Sequence, residues 1–438
     1  MNLIQKFILF LFIFNSKINC FNKFSKQKNL NKINNLPGLE SEINFNHYSG
    51  YLHVSNYHFL HYWFVESQND PENDPIIFWF NGGPGCSSMD GLLKEMGPYL
   101  VNPDGRSLRL NKYSWNKNAS VVYIESPVGV GYSYSEAWSL IEIDDEQTAK
   151  ENYEAVKQFF EIYPSFRNNY LFISGESYAG VYVPSLCALI VDGQKEYPLK
   201  LTGMMIGNGY MNARLDIDTT IKFAYAHGLV DEKLWQLMRE ECCNGCFDGC
   251  DLSMMSNYFC QNKVEEIFEF VWLGGLNPYD LYRDCDTFSP LNSIKMHALR
   301  RGLLPTKINE RIVAKSIMKR NTRSARFINK NDLNNVTEVS SNVATDPGIP
   351  CLDVRQALNI PSHLGNWSIC NEDVSNNYNQ IYSDMSPFVK KVLAAKVKTL
   401  LYYGDTDMAF RGAGHMVPEW RAPQIFYAIQ NFLNYGEV

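Results

Sequence analysis

The chain has 438 residues, 45% of them hydrophobic and 20% charged, with a net charge of −7. That length exceeds what one ordinary core serves, so it implies one large domain with insertions, or two domains. The acidic balance argues against a nucleic-acid surface, and only a polar Asn/Lys-rich stretch near the start departs from globular composition.

In chain order, Lys6 precedes "FILFLFIF" (Phe7 to Phe14). This run is too short to span a bilayer and suits a signal peptide over residues 1–20, with an uncleaved anchor as the alternative. No later stretch is apolar enough for a membrane-spanning helix, so entry to the secretory pathway without integral membrane association is expected once the signal is removed. Five β-rich apolar runs follow: "DPIIFWFNGG" from Asp74, "ASVVYIESP" from Ala119, "NYLFISGESYAG" from Asn169, "LKLTGMMIGNG" from Leu199 and "KVKTLLYYGD" from Lys396. Helical patterns lie between them, such as "DDEQTAKENYEAVKQFFEIYP" and "VYVPSLCALIVDG". Such alternation predicts an α/β fold with a mostly parallel sheet flanked by helices, its chemistry at the carboxyl ends of the strands.

Residues 210–350 break the alternation and read as an inserted helical cap between core segments 21–209 and 351–438. The cap carries "DEKLWQLMREE", the crowded cysteines of "ECCNGCFDGC" and a basic run from Lys315 to Phe327, read as an exposed loop rather than a binding patch. Of 11 cysteines, loss of Cys20 with the signal leaves an even number. In an oxidising compartment they read as disulfides rather than as a metal site. Sequons at Asn118, Asn335 and Asn366 fit the same compartment as candidate glycosylation sites.

"GESYAG" places Ser177 in a G-x-S-x-G type of turn after a strand and before a helix, the setting of an exposed nucleophile. A hydroxyl needs a base, and a carboxylate to orient that base. His415 in "GAGHMVP" has the expected position after the serine, and Asp405 and Asp407 are the carboxylate candidates, with Asp407 favoured. Backbone N–H groups of Tyr178, next to the serine, and Gly83, in "WFNGGPGCSS", suit an oxyanion hole.

"WFNGGPGCSSMDGLL", "ESPVGVGYSYS", "SGESYAG", "IGNGYM" and "GAGHMVP" together resemble the serine carboxypeptidase family, within it the lysosomal cathepsin A branch. The likeness runs from about Leu36 onward. It implies an α/β-hydrolase fold acting on peptide or protein C-termini without metal or cofactor, with Ser177, Asp407 and His415 as triad and Gly83 and Tyr178 as oxyanion hole. It further implies that Asn81, Glu95 and Glu176 grip the substrate carboxylate, that Asp90 and Tyr279 line the side-chain pocket, and that Cys86 pairs with Cys351. Its homologues suggest a lysosomal, vacuolar or secreted location, and a homodimer or a complex with other lysosomal enzymes as partners.

One stretch departs from the pattern. Relatives place a crossover and a further strand between this aspartate and this histidine, whereas Asp407 leads almost directly into "RGAGH", with Phe410 and Arg411 where the family has Cys-Asn. A crossover needs a dozen or more residues. The shortening reads as a coding segment omitted from the message, or as a true deletion that leaves a pseudoenzyme or a site where Asp and His meet in one loop. The first is favoured because a lost strand exposes apolar sheet edge. Three functions follow: an acid carboxypeptidase, an acyltransferase using the same site, or a catalytically impaired protective partner of lysosomal enzymes.

Overall fold

The computed structural model describes residues 27–137, 143–247, 250–273, 277–283, 351–404, 406–407 and 415–435. The signal segment, the basic run, Asn335, Cys285 and Asp405 lie outside the described residues.

The main sheet contains β1 (His47–His53), β2 (His58–Val65), β3 (Ile76–Phe80), β4 (Ser120–Ile124), β5 (Leu171–Glu176), β6 (Leu201–Gly207) and β7 (Lys398–Tyr402). Their spatial order is β1-β2-β4-β3-β5-β6-β7, with a short strand, Tyr134–Ser135, beside β2. β1, β2 and β4 pair antiparallel, and every pair from β4 to β7 is parallel. All five apolar runs form strands. Every residue of β3, β4 and β5 is buried, because helices cover both faces of a parallel sheet. Alternate side chains feed two cores: Ile76, Phe78 and Phe80 enter one, Ile77 and Trp79 the other. This is the expected α/β-hydrolase arrangement.

Helix α1 (Asp145–Ile162) starts where Asp144 accepts a hydrogen bond from Gln147 N, with Asp145 and Glu146 at the positive end of the helix dipole. α2 (Ala179–Asp192) leaves β5 after a two-residue turn. Between β6 and β7 the described residues hold helices α3 (Ala213–Ala226), α4 (Glu232–Cys243) and α5 (Tyr258–Leu273), and no strand of the main sheet. Disulfides Cys242–Cys260 and Cys243–Cys250 staple this region. Helices α6 (Ser386–Ala394) and α7 (Ala422–Tyr435) flank β7 in sequence. Asn118 and Asn366 are exposed, and the Asn118 amide donates to Gln430 at 2.8 Å.

The expected Cys86–Cys351 pairing is corrected: Cys86 is bonded to Cys370. The cause is a local antiparallel bridge. Ser87 N donates to Ile369 O at 2.7 Å and Asn371 N to Gly85 O at 2.8 Å, which sets the two cysteine Cα atoms 4.0 Å apart. Cys351 instead opens a short helix, Cys351–Ala357.

This bond closes a sequence separation of 284 residues and anchors the glycine-rich loop after β3. Cys86→Ala with Cys370→Ala is expected to cost about 2–4 kcal/mol in denaturant unfolding. Peptide mapping of the unreduced protein should recover Cys86 linked to Cys370.

Candidate active site

Ser177 follows the last residue of β5 and has φ 61°, a conformation that L-residues with a side chain seldom adopt. The turn is held from both sides. Ser177 N donates to Gly207 O at 3.1 Å, and its carbonyl accepts from Gly180 N at 2.9 Å and Tyr210 N at 2.8 Å. The small residues of "GESYAG" have a steric reason: a Cβ on Gly175 would lie 2.5 Å from Phe80 O and 2.6 Å from Ala179 Cβ.

Asp407 is fully buried, and His415 Nδ1 lies 2.8 Å from its Oδ2. The tautomer protonated at Nδ1 donates to the carboxylate and leaves Nε2 as a base. Asp407 and His415 therefore meet within one short segment, without an intervening strand among the described residues. Asn208 completes the arrangement. Its Nδ2 donates to Asp407 Oδ2 at 2.8 Å, its Oδ1 accepts from Gly404 N at 3.2 Å, and its backbone N donates to Tyr402 O at 2.9 Å.

The glycine loop passes beside the nucleophile. A Cβ on Gly82 would sit 2.3 Å from Tyr178 N and 3.0 Å from Ser177 Cβ, so only glycine permits this approach. Gly83 has φ 112° and leads into a cis bond to Pro84. The Tyr178 ring is buried, and its hydroxyl donates to Asp145 Oδ1 at 2.8 Å, which fixes the residue beside the serine. Ser87 anchors the loop further through the buried Glu125 carboxylate, which also accepts from His61 Nδ1, Trp367 Nε1 and Tyr132 N, each at 2.8 Å.

Asn81, Glu95 and Glu176 come together at the same end of the sheet. Asn81 Oδ1 accepts from Trp79 Nε1 at 2.7 Å and from Gly91 N at 3.1 Å. Two obligatory donors on that oxygen turn the amide nitrogen toward the glutamates, where it donates to Glu95 Oε1 at 3.2 Å and Glu176 Oε1 at 3.1 Å. Both carboxyls are buried and accept from the same amide nitrogen. Burial holds Glu95 well above the usual carboxyl range, with the Asp90 charge adding to it. Burial and then the Glu95 charge do the same to Glu176. Two carboxyls this close share a proton rather than both ionising, and the protonated oxygen can donate to an anion.

Of the two expected pocket residues, Asp90 lies at the start of the turn Gly91–Glu95 and pairs with Lys94 at 3.3 Å. Tyr279 packs its ring against His415, with centroids 4.8 Å apart. Sequence reasoning missed two residues. Gly82 was hidden in a doublet from which Gly83 was chosen. Asn208, in "IGNGY", is marked only by its place between two glycines after a strand. Among the described residues no cluster of His, Cys, Asp and Glu could hold a metal ion.

The family model described as serine carboxypeptidase matches residues 37–411. The lysosomal protective protein of Mus musculus is 39% identical over 395 residues, covering 89% of this chain and 79% of that one. Serine carboxypeptidase ctsa-4.1 of Caenorhabditis elegans is 37% identical over 381 residues, covering 86% and 76%. The crystal structure of Kex1(Δ)p, a prohormone-processing carboxypeptidase from Saccharomyces cerevisiae, superimposes with TM-score 0.62 at 22% identity, covering 88% of this chain and 80% of that one. That last likeness bears on the fold.

A Cβ in Gly82→Ala would lie 2.3 Å from Tyr178 N and 2.8 Å from Glu176 O, so the glycine loop must shift away from the serine turn. If the Tyr178 N–H is an oxyanion donor, loss of about 100-fold or more in kcat is expected, read by steady-state kinetics beside a circular dichroism spectrum that reports the fold.

Proposed function

The chain belongs to the serine carboxypeptidase family, and on that premise we propose that it removes single residues from peptide C-termini through an acyl-enzyme on Ser177, favoured at acidic pH. Ser177 Oγ attacks the last peptide carbonyl while His415 Nε2 takes its proton. Asp407 stabilises the imidazolium, and the N–H groups of Gly83 and Tyr178 receive the oxyanion. His415 then protonates the departing amine, and water repeats the sequence on the acyl-enzyme. Asp90 and Tyr279 border the pocket for the residue beside the cut bond.

The single observation that carries a C-terminal preference is the buried Glu95–Glu176 pair bridged by Asn81, with Glu176 directly preceding the nucleophile. A singly protonated pair donates to a terminal carboxylate; a fully ionised pair repels it. Because both carboxyls are raised, the folded state holds more protons than the unfolded chain at pH values above the ordinary carboxyl range. Stability and carboxylate affinity therefore both fall as pH rises through the pair's raised values. The likeness to a lysosomal protein and the three disulfides support a secretory-pathway location, lysosomal, vacuolar or secreted, with a homodimer or a complex with lysosomal enzymes as the assembly. We also assign residues 210–350 as the cap and 21–209 with 351–438 as the core.

Release of the last residue from a blocked dipeptide at acid pH tests this reading, and Ser177→Ala should lower kcat by about 10⁴-fold or more. A fluorophosphonate should label folded wild-type protein at Ser177; a folded chain that stays unlabelled would instead be a binding partner. Product analysis with an added alcohol separates hydrolysis from acyl transfer. KM for free-acid peptides should rise with pH, whereas C-terminally amidated peptides should show a flat KM. Glu95→Gln, which cannot ionise, should reduce that pH dependence.

A further inference from the structure

Three consecutive cap residues each make one hydrogen bond to the segment that carries Asp407 and His415. Tyr279 O accepts from His415 N at 2.8 Å. Asp280 Oδ1 accepts from Thr406 Oγ1 at 2.8 Å. Leu281 N donates to Thr406 O at 2.9 Å. The Tyr279 ring adds its contact with the imidazole, and the Arg283 guanidinium lies 4.8 Å over the Trp420 ring and 3.9 Å from Glu419.

The cap residues have their own support. Tyr279 N donates to Asn277 Oδ1 at 3.1 Å, Tyr282 N to Asp280 Oδ1 at 3.3 Å and Arg283 N to Asp280 O at 3.2 Å. Asp280 is thus held by its own turn when it receives the threonine hydroxyl. On the other side, among the described residues, the main sheet ends at β7, and Asp407 is separated from His415 by eight positions. Asn208 anchors the aspartate from the core, but the backbone of the histidine is anchored from the cap.

We infer that cap segment Tyr279–Leu281 is a positioning element for catalysis, clamping Thr406 and His415 so that the Asp407–His415 pair is aligned, with no core strand among the described residues carrying the histidine. The inference rests on the triad reading above. It makes Asp280 and Thr406 positioning residues, and it makes the cap part of the catalytic frame as well as a wall of the pocket. Catalytic alignment tolerates displacement poorly: a shift of about 1 Å costs on the order of 100-fold in rate.

The test uses the full chain with Thr406→Val, Thr406→Ser, Asp280→Ala and the double variant Thr406→Val/Asp280→Ala. Thr406→Val and Asp280→Ala should each lower kcat about tenfold or more, with KM changed less than about twofold. Thr406→Ser, which keeps the hydroxyl, should retain wild-type kcat. The double variant should be no worse than the poorer single one, because both remove the same bond. A readout independent of turnover is the downfield proton resonance of His415 Nδ1, present in wild type and Thr406→Ser and lost in Thr406→Val and Asp280→Ala. Thermal unfolding shows that each variant is folded. Wild-type kcat and an unchanged resonance in Thr406→Val and Asp280→Ala overturn the inference. A wild-type protein that neither turns over substrate nor labels at Ser177 overturns the proposed function instead, and the resonance still decides the clamp.

Discussion

The side chain of Asn208 is the tie on which the site depends. It sits at the end of β6 with no exposure and φ 41°, and its amide joins two strand ends that are remote in sequence. One side of the amide takes Gly404 N after β7, and the other donates to Asp407. The same loop holds the nucleophile turn, since Gly207 and Tyr210 bond the backbone of Ser177. Serine and aspartate are therefore referred to one rigid stretch, and parallel pairing of β5, β6 and β7 sets the distance between them. A buried amide with both ends paired is strongly specified, because leaving either end open would cost a desolvated polar group about 1–3 kcal/mol.

The second constraint works against stability. Burial raises the proton affinity of two glutamates at one strand end, the Glu95 charge adds to the effect on Glu176, and the Asp90 charge adds to it on both. Among the described residues no lysine or arginine forms an ion pair with either glutamate. The fold offers one amide, Asn81, whose orientation is fixed by Trp79 and Gly91, and it places Lys94 on Asp90 instead. The pair is thereby left dependent on a shared proton, which is the property on which the proposed carboxylate grip rests. Functional sites commonly hold such local conflict, and the surrounding sheet, buried on both faces, compensates.

Much of this was legible in the chain. The five parallel strands are short apolar runs, four of them leading into glycines; β3, β4 and β5 are apolar throughout because both their faces are buried, whereas β7 is a half-exposed edge. The β1–β2 hairpin was not: "HYSGYLH" shows no clean alternation, and His61 in β2 reads as polar although it is fully buried against Glu125. Ser177 announced itself through the small residues its turn requires. Asn208 could not, since its role exists only once β6 and β7 are neighbours. Cys370 was missed for a similar reason, because an isolated bridge between two loops selects it over Cys351.

The junction after Asp407 is where sequence and structure bear on each other most directly. The residues on either side of it lie 2.8 Å apart, as in the alternative where Asp and His meet within one loop, and the neighbouring strand β7 is half-exposed. Leu401 is 42% exposed and Tyr403 43%, whereas β6 buries its last five residues. An edge strand with half-solvated side chains opens more readily than the strands inside the sheet. The aspartate follows that edge, so its alignment is limited by the edge's local stability rather than by the whole core. Contacts from the cap at Tyr279, Asp280 and Leu281 close the same segment from the opposite side. Catalytic competence is then a property of two bodies meeting, the sheet through Asn208 and the cap through its turn, and neither alone fixes the histidine.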